Sequence, residues 1–280
     1  MKPRVTPESI RRLPVPPASL SRLSRIVAEG EIDVREVTRL IELDPSLTAH
    51  VLRWANSAWS SGHRAIGTVR QAVIRLGTAT IFQLAAGRLV RGGMSGAFPH
   101  FGLQARELWH HSIAAALVAE RIARRSPVPI PGVAFTAALV HDIGKLVLHP
   151  SVTPEEAEAI ARALTGPDAE YLAVESRVLG VNHAEAGVEV GRYWKFPDSI
   201  LRAVAGHHDP DRSPDPVVDA VHLANTAAKL MGVGLGREQL FLRASPDACA
   251  RLRVTAHMLE SLCADAAGDL EQAVAQWEGS

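Results

Sequence analysis

The stretch Val133–Lys145, VAFTAALVHDIGK, runs an apolar segment, Val133 to Val140, directly into His141-Asp142 and then Ile143-Gly144-Lys145. Adjacent residues on a helix point about 100° apart. An imidazole and a carboxylate placed side by side can therefore touch one ion only if it lies in a cleft lined by other helices.

Candidates for those other helices lie on both sides of the doublet. His111 falls on the stripe Leu108, Ala115, Val118, Ile122, the apolar side of its helix, whereas His110 shares a less clearly buried row with Ala114, Leu117 and Arg121. His183 lines up with Ala186, Gly187, Val190 and Trp194, and His207 with Ile200, Ala203 and Val204. Asn225 follows Val218 and Val221 on a further inward row. Several imidazoles and a carboxylate buried without partners would cost several kcal/mol in desolvation. A divalent cation would satisfy them together: neutral imidazole suits Zn, Fe, Mn or Ni, and the carboxylate adds charge compensation. A hydrogen-bonded polar cluster without an ion is the competing account, and the residues alone leave both open.

Helical periodicity continues through the N-terminal half. Leu20, Leu23, Ile26 and Val27 form one stripe, and Val34, Val37, Leu40 and Ile41, capped by Asp33, form the next. Asp44-Pro45 reads as a cap with proline at the first helical position, ahead of Leu47, Leu52, Trp54 and Ala55. Thr68 starts another helix carrying Val69, Ala72, Val73 and Leu76. Gly92-Gly93 and the residues up to Pro99 are expected to interrupt the pattern and mark a subdomain boundary. Beyond it, helices are expected at about 103–125, 132–148, 154–164, 168–178, 183–195, 198–208, 215–231 and, as one or two pieces, 246–276. No period-2 run bounded by turn residues argues for a strand, so the fold class is all-α.

Composition sets the broad class. The 280 residues are 47% hydrophobic, with 30 acidic and 30 basic side chains, a balance that gives no global pull toward nucleic acid or anionic membrane. No apolar run approaches the roughly 18 residues that span a bilayer, and no apolar segment follows the charged N-terminus as in a secretory signal. A soluble, cytoplasmic protein is expected, with Cys249 and Cys263 as reduced thiols. Arg11-Arg12, Arg22, Arg25, Arg88 and Arg91 give a basic lean without interleaved aromatics, so nucleic acid is an unfavoured partner.

In the context LVHDIGKL, His141-Asp142 resembles the HD superfamily of metal-dependent phosphohydrolases. The resemblance implies a metal set made of His111, His141, Asp142, His183, His207 and His208. The nearer resemblance is to the HDOD family, HD-related output domains of bacterial signalling proteins. It rests on Leu13-Pro14, Asp44-Pro45-Ser46-Leu47, Arg53-Trp54-Ala55-Asn56-Ser57-Ala58 and Ala72-Val73-Ile74-Arg75-Leu76-Gly77. Farther on it rests on Leu108-Trp109-His110-His111-Ser112, Glu175 to Gly187, Trp194-Lys195-Phe196-Pro197 and Val221-His222-Leu223-Ala224-Asn225, spanning about residues 12–232 in all. The sequence departs from the superfamily where its last metal ligand, an Asp, corresponds to Asn225, whose amide brings no charge, so Asn225 is a weak ligand candidate. After His207-His208 the chain runs Asp209-Pro210-Asp211-Arg212, without the Gly-Tyr-Pro motif of the related cyclic-di-GMP phosphodiesterases.

The resemblance implies an N-terminal tail at 1–12, an N-terminal helical part at 13–98, an HD-like helical bundle at 99–232 and a C-terminal helical extension at 233–280. No attached receiver or cyclase domain is expected. The expected function is a signal-transduction output module that binds a protein partner or a nucleotide-like ligand. Its pocket would hold a divalent metal (Fe, Mn, Zn or Mg), and Trp54, Asn56 and Ser57 are the candidate partner contacts. The alternative is a metal-dependent phosphohydrolase in which Asp142 binds the ion and Lys145 steadies a phosphate. A helix-face lysine is otherwise solvated, and the Asn-Ser pair and the tryptophans are otherwise capping and core residues. The C-terminal helices would pack on the bundle or on a second copy.

Overall fold

Side-chain caps set where many of the helices begin. Thr68 accepts from the backbone N–H of Gln71, Thr153 from Glu156, Asn182 from Glu185, Asp215 from Val217 and Ser245 from Ala248. Each such cap is worth about 1 kcal/mol. Thr153 and Asn182 form reciprocal capping boxes with Glu156 and Glu185, so His183 is fixed as the first residue of its helix.

The computed structural model describes residues 4–13, 22–23, 26, 33–56, 66–165, 170–238 and 243–278. The expected positions Pro14, Leu20, Val27, Ser57 and Ala58 lie outside them. In chain order the α-helices are α1 (Pro7–Arg11), α2 (Val34–Glu42), α3 (Pro45–Ala55), α4 (Val69–Met94), α5 (Glu107–Arg125), α6 (Ala134–Val140), α7 (Gly144–Leu148), α8 (Pro154–Ala163), α9 (Tyr171–Leu179), α10 (His183–Tyr193), α11 (Asp198–Gly206), α12 (Pro216–Leu230), α13 (Pro246–Leu252) and α14 (Ala256–Glu278). Short 3-10 turns at Pro99–Phe101, His149–Ser151 and Gly236–Glu238 join them. Among the described residues there is no strand, only an isolated bridge between Phe98 and Leu103.

Helix α5 is the axis of the C-terminal bundle and packs against α6, α12 and α14. Its residues Leu108, Trp109, Ile113, Val118 and Ile122 are all at most 2% exposed. Burying side chains of this size contributes about 1.5–3 kcal/mol each. Helices α2, α3 and α4 pack together as the N-terminal part, and α4 also touches α6.

Three expectations are corrected. The glycine pair does not stop a helix: α4 runs through Gly92 and Gly93 to Met94. A Cβ on Gly93 would lie 2.7 Å from Leu146 Cδ1, so the glycine admits α7 close to α4. The break in α4 comes instead at Gly77, with φ 77° and ψ 158°. Second, α4 is long and apolar enough to cross a membrane by length and composition, although half of the relevant window is buried inside the protein. Third, the helix expected at 132–148 is two helices. His141 Nδ1 takes the Ala138 carbonyl at 2.6 Å, and Ile143, Lys145 and Leu146 donate to carbonyls three residues back. The turn this makes at 141–143 redirects the chain at the His-Asp doublet.

Candidate metal centre

The doublet turn faces α10 at backbone contact distance. A Cβ on Gly144 would lie 1.9 Å from the His183 carbonyl oxygen and 2.5 Å from the Gly187 amide nitrogen. Only hydrogen fits there, and that absence of a side chain brings Asp142 to His183. Helices α5, α11 and α12 close the remaining sides with His111, His207 and Asn225. The groups singled out in the sequence thus meet: His111, His141, Asp142, His183, His207 and Asn225 are all at most 4% exposed. His208 joins them with 15% of its side chain exposed.

Four imidazoles share one arrangement. Each Nδ1 faces an oxygen acceptor: His111 the Val233 carbonyl at 3.0 Å, His141 the Ala138 carbonyl at 2.6 Å, His183 the Glu175 carboxylate at 2.7 Å and His207 the Val204 carbonyl at 2.8 Å. A neutral ring has one N–H, so donation from Nδ1 leaves the Nε2 lone pair free. The Nε2 atoms converge: His111 on His141 at 3.3 Å, His183 on His207 at 3.3 Å and His183 on His208 at 3.0 Å. His111 Nε2 is also 3.0 Å from Asn225 Oδ1.

Asp142 lies between the two groups of rings. Its Oδ2 is 3.4 Å from His141 Nε2, 4.0 Å from His111 Nε2 and 2.7 Å from Lys145 Nζ. Its Oδ1 is 3.4 Å from His183 Nε2 and 3.9 Å from His207 Nε2, yet it is buried without a hydrogen bond.

Charge is managed by Lys145, which the sequence singled out, together with Glu238 and Lys229, which it did not. Lys145, which could have been a solvated helix-face lysine, is buried and pairs with Asp142 and, at 2.5 Å, with Glu238 Oε1. The other Glu238 oxygen bonds Lys229 Nζ. Burial works to raise the carboxyls of Asp142 and Glu238, but Lys145 foremost, then His141 for Asp142 and Lys229 for Glu238, hold both well below the usual carboxylate range. Burial opposes the charge of Lys145 too, and Asp142 and Glu238 override it, raising its pKa. Burial lowers His111 to about 4, helped by His141, and it also pushes His141, His207 and His208 down. His183 is the exception: burial lowers it, but the Glu175 carboxylate outweighs that and raises it.

A divalent ion fits this donor set. Ligands about 2.1 Å from an ion stand roughly 3.0 Å apart in an octahedron and 3.4 Å apart in a tetrahedron. The Nε2–Nε2 and nearest Nε2–carboxylate separations here, 3.0 to 3.4 Å, fall in that range. Facing lone pairs repel, and a buried unsatisfied carboxylate oxygen costs about 1–3 kcal/mol; a cation relieves both. The Nδ1 acceptors match the outer contacts that orient metal-bound histidines. Among the described residues, three trios each bring their ligand atoms within 4.8 Å of one another: His183, His207 and His208; His111, His141 and Asp142; and Asp142, His183 and Glu238.

Sequence reasoning missed Glu238, Lys229 and the pairing of Glu175 with His183. The only local signal was Glu175 eight residues before His183, within the quoted Glu175–Gly187 stretch. The segment set apart as a C-terminal extension also reaches the centre, through the Val233 carbonyl and Glu238. The candidate partner contacts sit elsewhere. Trp54 is 7% exposed and belongs to the N-terminal core. Asn56 is exposed, but its amide donates to the Leu52 and Ile66 carbonyls at 2.8 and 2.9 Å and accepts from the Ile66 N–H at 2.7 Å. Asn56 thereby ties the end of α3 to Ile66.

Comparison with known proteins bears on the whole arrangement. A family model described as HDOD domain matches residues 13–210. A structure of an HDOD domain protein of unknown function from Geobacter sulfurreducens is 24% identical, with a TM-score of 0.70 over 97% of this chain and 96% of that one. A protein from Shewanella amazonensis SB2B, provisionally named a phosphohydrolase, is 24% identical with a TM-score of 0.66 over the same shares. One from Marinobacter aquaeolei VT8, provisionally named a signal transduction protein, is 21% identical with a TM-score of 0.72 over 97% of this chain and 64% of that one. At these identities the likeness establishes the fold. A curated but uncharacterized protein of Treponema pallidum (strain Nichols) is 20% identical over 268 residues, and the chain spans about half of its length.

Proposed function

The chain belongs to the HDOD domain family, and from that premise we propose that it is a signal-transduction output module. In this reading the buried histidine–aspartate pocket holds a divalent metal and senses a ligand. The single observation that carries it is closure. Lys145, Lys229 and Glu238, each 4% exposed, stand over Asp142 and the imidazoles as one ion-paired lid. A closed centre suits an ion that organises helices, whereas a turnover site keeps an open position. When bound, a divalent ion supplies Lewis acidity and compensates the Asp142 charge. The chain's own residues do the rest: the Nδ1 acceptors fix the rings, Glu175 raises the basicity of His183, and Lys145 holds Asp142 ionised. The ligand is a protein partner or a nucleotide-like molecule.

One observation favours the phosphohydrolase alternative. The two oxygens of Asp142 face separate histidine groups, so Asp142 with His111 and His141 on one side, and with His183 and His207 on the other, could hold metal that would supply the Lewis acidity of phosphate-ester hydrolysis. Elemental analysis of the purified chain tests the metal, and a panel of phosphate esters with added Mn²⁺ tests turnover. The module reading expects bound metal without phosphate release. Phosphate release that disappears in His141→Ala establishes the alternative instead, and a chain that takes up no metal on reconstitution overturns the metal centre.

A further inference from the structure

Two lysines from different helices converge on a single carboxylate inside the protein. Lys145 comes from α7 and Lys229 from the last turn of α12, and Glu238 gives one oxygen to each. Oε2 also lies 3.7 Å from His208 Nε2. The Lys145 ammonium stands 5.9 Å from the centroid of the Phe101 ring. Two buried ammoniums without an anion would be severely destabilising, so this cradle must always hold negative charge. Asp142 neutralises one side of Lys145 and is needed there by the histidines. The place filled by Glu238 is a separate anion position shared by Lys145, Lys229 and His208.

Glu238 is delivered by a segment built unlike the bundle. It follows α12 and carries glycines at positive φ on alternate residues: Gly232 at 77°, Gly234 at 62° and Gly236 at 49°. A Cβ on Gly234 would lie 2.5 Å from His111 Cβ, and one on Gly236 would lie 2.5 Å from the Phe101 carbonyl oxygen. Val233 in the same segment accepts from His111 Nδ1. Arg237 Nε donates to the His100 carbonyl at 2.9 Å. The segment therefore rests on the centre through a backbone carbonyl, small residues and one ion-paired side chain, not through an apolar helix face.

We propose that the pocket is a phosphate-ligand site held shut by its own chain, with Glu238 as a tethered stand-in for the ligand's phosphate and residues 232–238 as the latch. A phosphate places more oxygens in the same span than a carboxylate and meets Lys145, Lys229 and the His208 edge together. Glu238 competes as an intramolecular group at high effective concentration. Inorganic phosphate alone is therefore a weak competitor, and the natural ligand carries a phosphate plus a second binding group. Displacement of Glu238 also withdraws Val233 from His111, so anion binding and the histidine centre are mechanically joined.

This deepens the ligand half of the proposed function and rests on it, but its test is run on chelator-treated chain, so it can fail without touching the metal reading. Inorganic phosphate is titrated calorimetrically into the full wild-type chain, Glu238→Gln, Glu238→Ala and the double variant Glu238→Ala with Lys229→Met. Removing the tethered charge is expected to tighten phosphate binding at least about tenfold, with the gain lost in the double variant. Glu238→Gln keeps the shape and decides the matter if the alanine variant does not fold. In the wild-type chain, molar phosphate is expected to speed hydrogen exchange at residues 233–238. A folded Glu238→Gln chain with wild-type phosphate affinity, or a gain that survives loss of Lys229, or exchange unchanged by phosphate, makes Glu238 a fixed counterion and overturns the proposal.

Discussion

The α-carbon of Gly144 is directed at the carbonyl oxygen of His183 so closely that an added Cβ would lie 1.9 Å from it. That contact seats the doublet turn on α10 and brings Asp142 Oδ1 to 3.4 Å from His183 Nε2. The geometry of the centre therefore depends on a residue that carries no chemistry.

Gly144→Ala is expected to destabilise the chain by about 3 kcal/mol or more, since overpacking against rigid backbone forces the helices apart. Metal uptake should fall with it. Gly132→Ala is the matched control, because a Cβ there meets nothing within 4 Å. Urea unfolding of both variants with metal content measured in parallel checks this, and equal stabilities would remove the close-packing argument.

Glu175→Gln is expected to weaken metal affinity about 10- to 100-fold, the usual effect of losing a carboxylate behind a ligating histidine. The amide can still accept from His183 Nδ1, so the ring keeps its orientation and the fold is retained. Competition with a chromophoric chelator measures the loss. Unchanged affinity would show that His183 is not a ligand.

Asn225→Asp restores a charged oxygen beside His111. Tighter binding of a hard cation such as Mn²⁺, by about tenfold, is expected because affinity at such sites follows ligand charge. The same variant without metal should be less stable than wild type, since it adds a carboxylate to a buried site already holding Asp142 and Glu238. A variant whose Mn²⁺ affinity is unchanged would place Asn225 outside the ion's reach.

The metal-free chain is expected to lose stability on acidification from about pH 6.5 to pH 4. His111 accepts a proton at about 4 when folded but near the ordinary imidazole value of about 6.5 when unfolded, so the unfolded state binds more protons in that window. The loss from this group alone is on the order of 3 kcal/mol. His141, His207 and His208, also lowered, act in the same direction. His183 acts oppositely: its raised pKa gives stability that is present below 6.5 and fades as pH rises through its folded value. Denaturant midpoints of chelator-treated chain at pH 7.5, 6 and 5 read the balance, and a flat profile would contradict it.

The sequence by itself determined the helical class and the inward faces. Periodicity placed His111, His183, His207 and Asn225 on apolar stripes, and the helix starts at Asp33 and Thr68 follow from local capping chemistry. Local pattern also put His141 and Asp142 at the end of a buried segment, where one helix could not satisfy both. Tertiary structure alone decided how those groups are used. Lys145 carried no mark distinguishing a buried ion pair from a solvated side chain, because its partner Glu238 is 93 residues away. The backbone carbonyls that orient the rings have no sequence signature, and Val233 lies 122 residues from the His111 it holds. Nor does the sequence mark that the Asn56 amide engages Ile66, ten residues on. The physical reason is common to all three: a helix face is set by neighbours three and four residues away, whereas the burial of a charge or a polar tip is settled only by the group that folding brings opposite it.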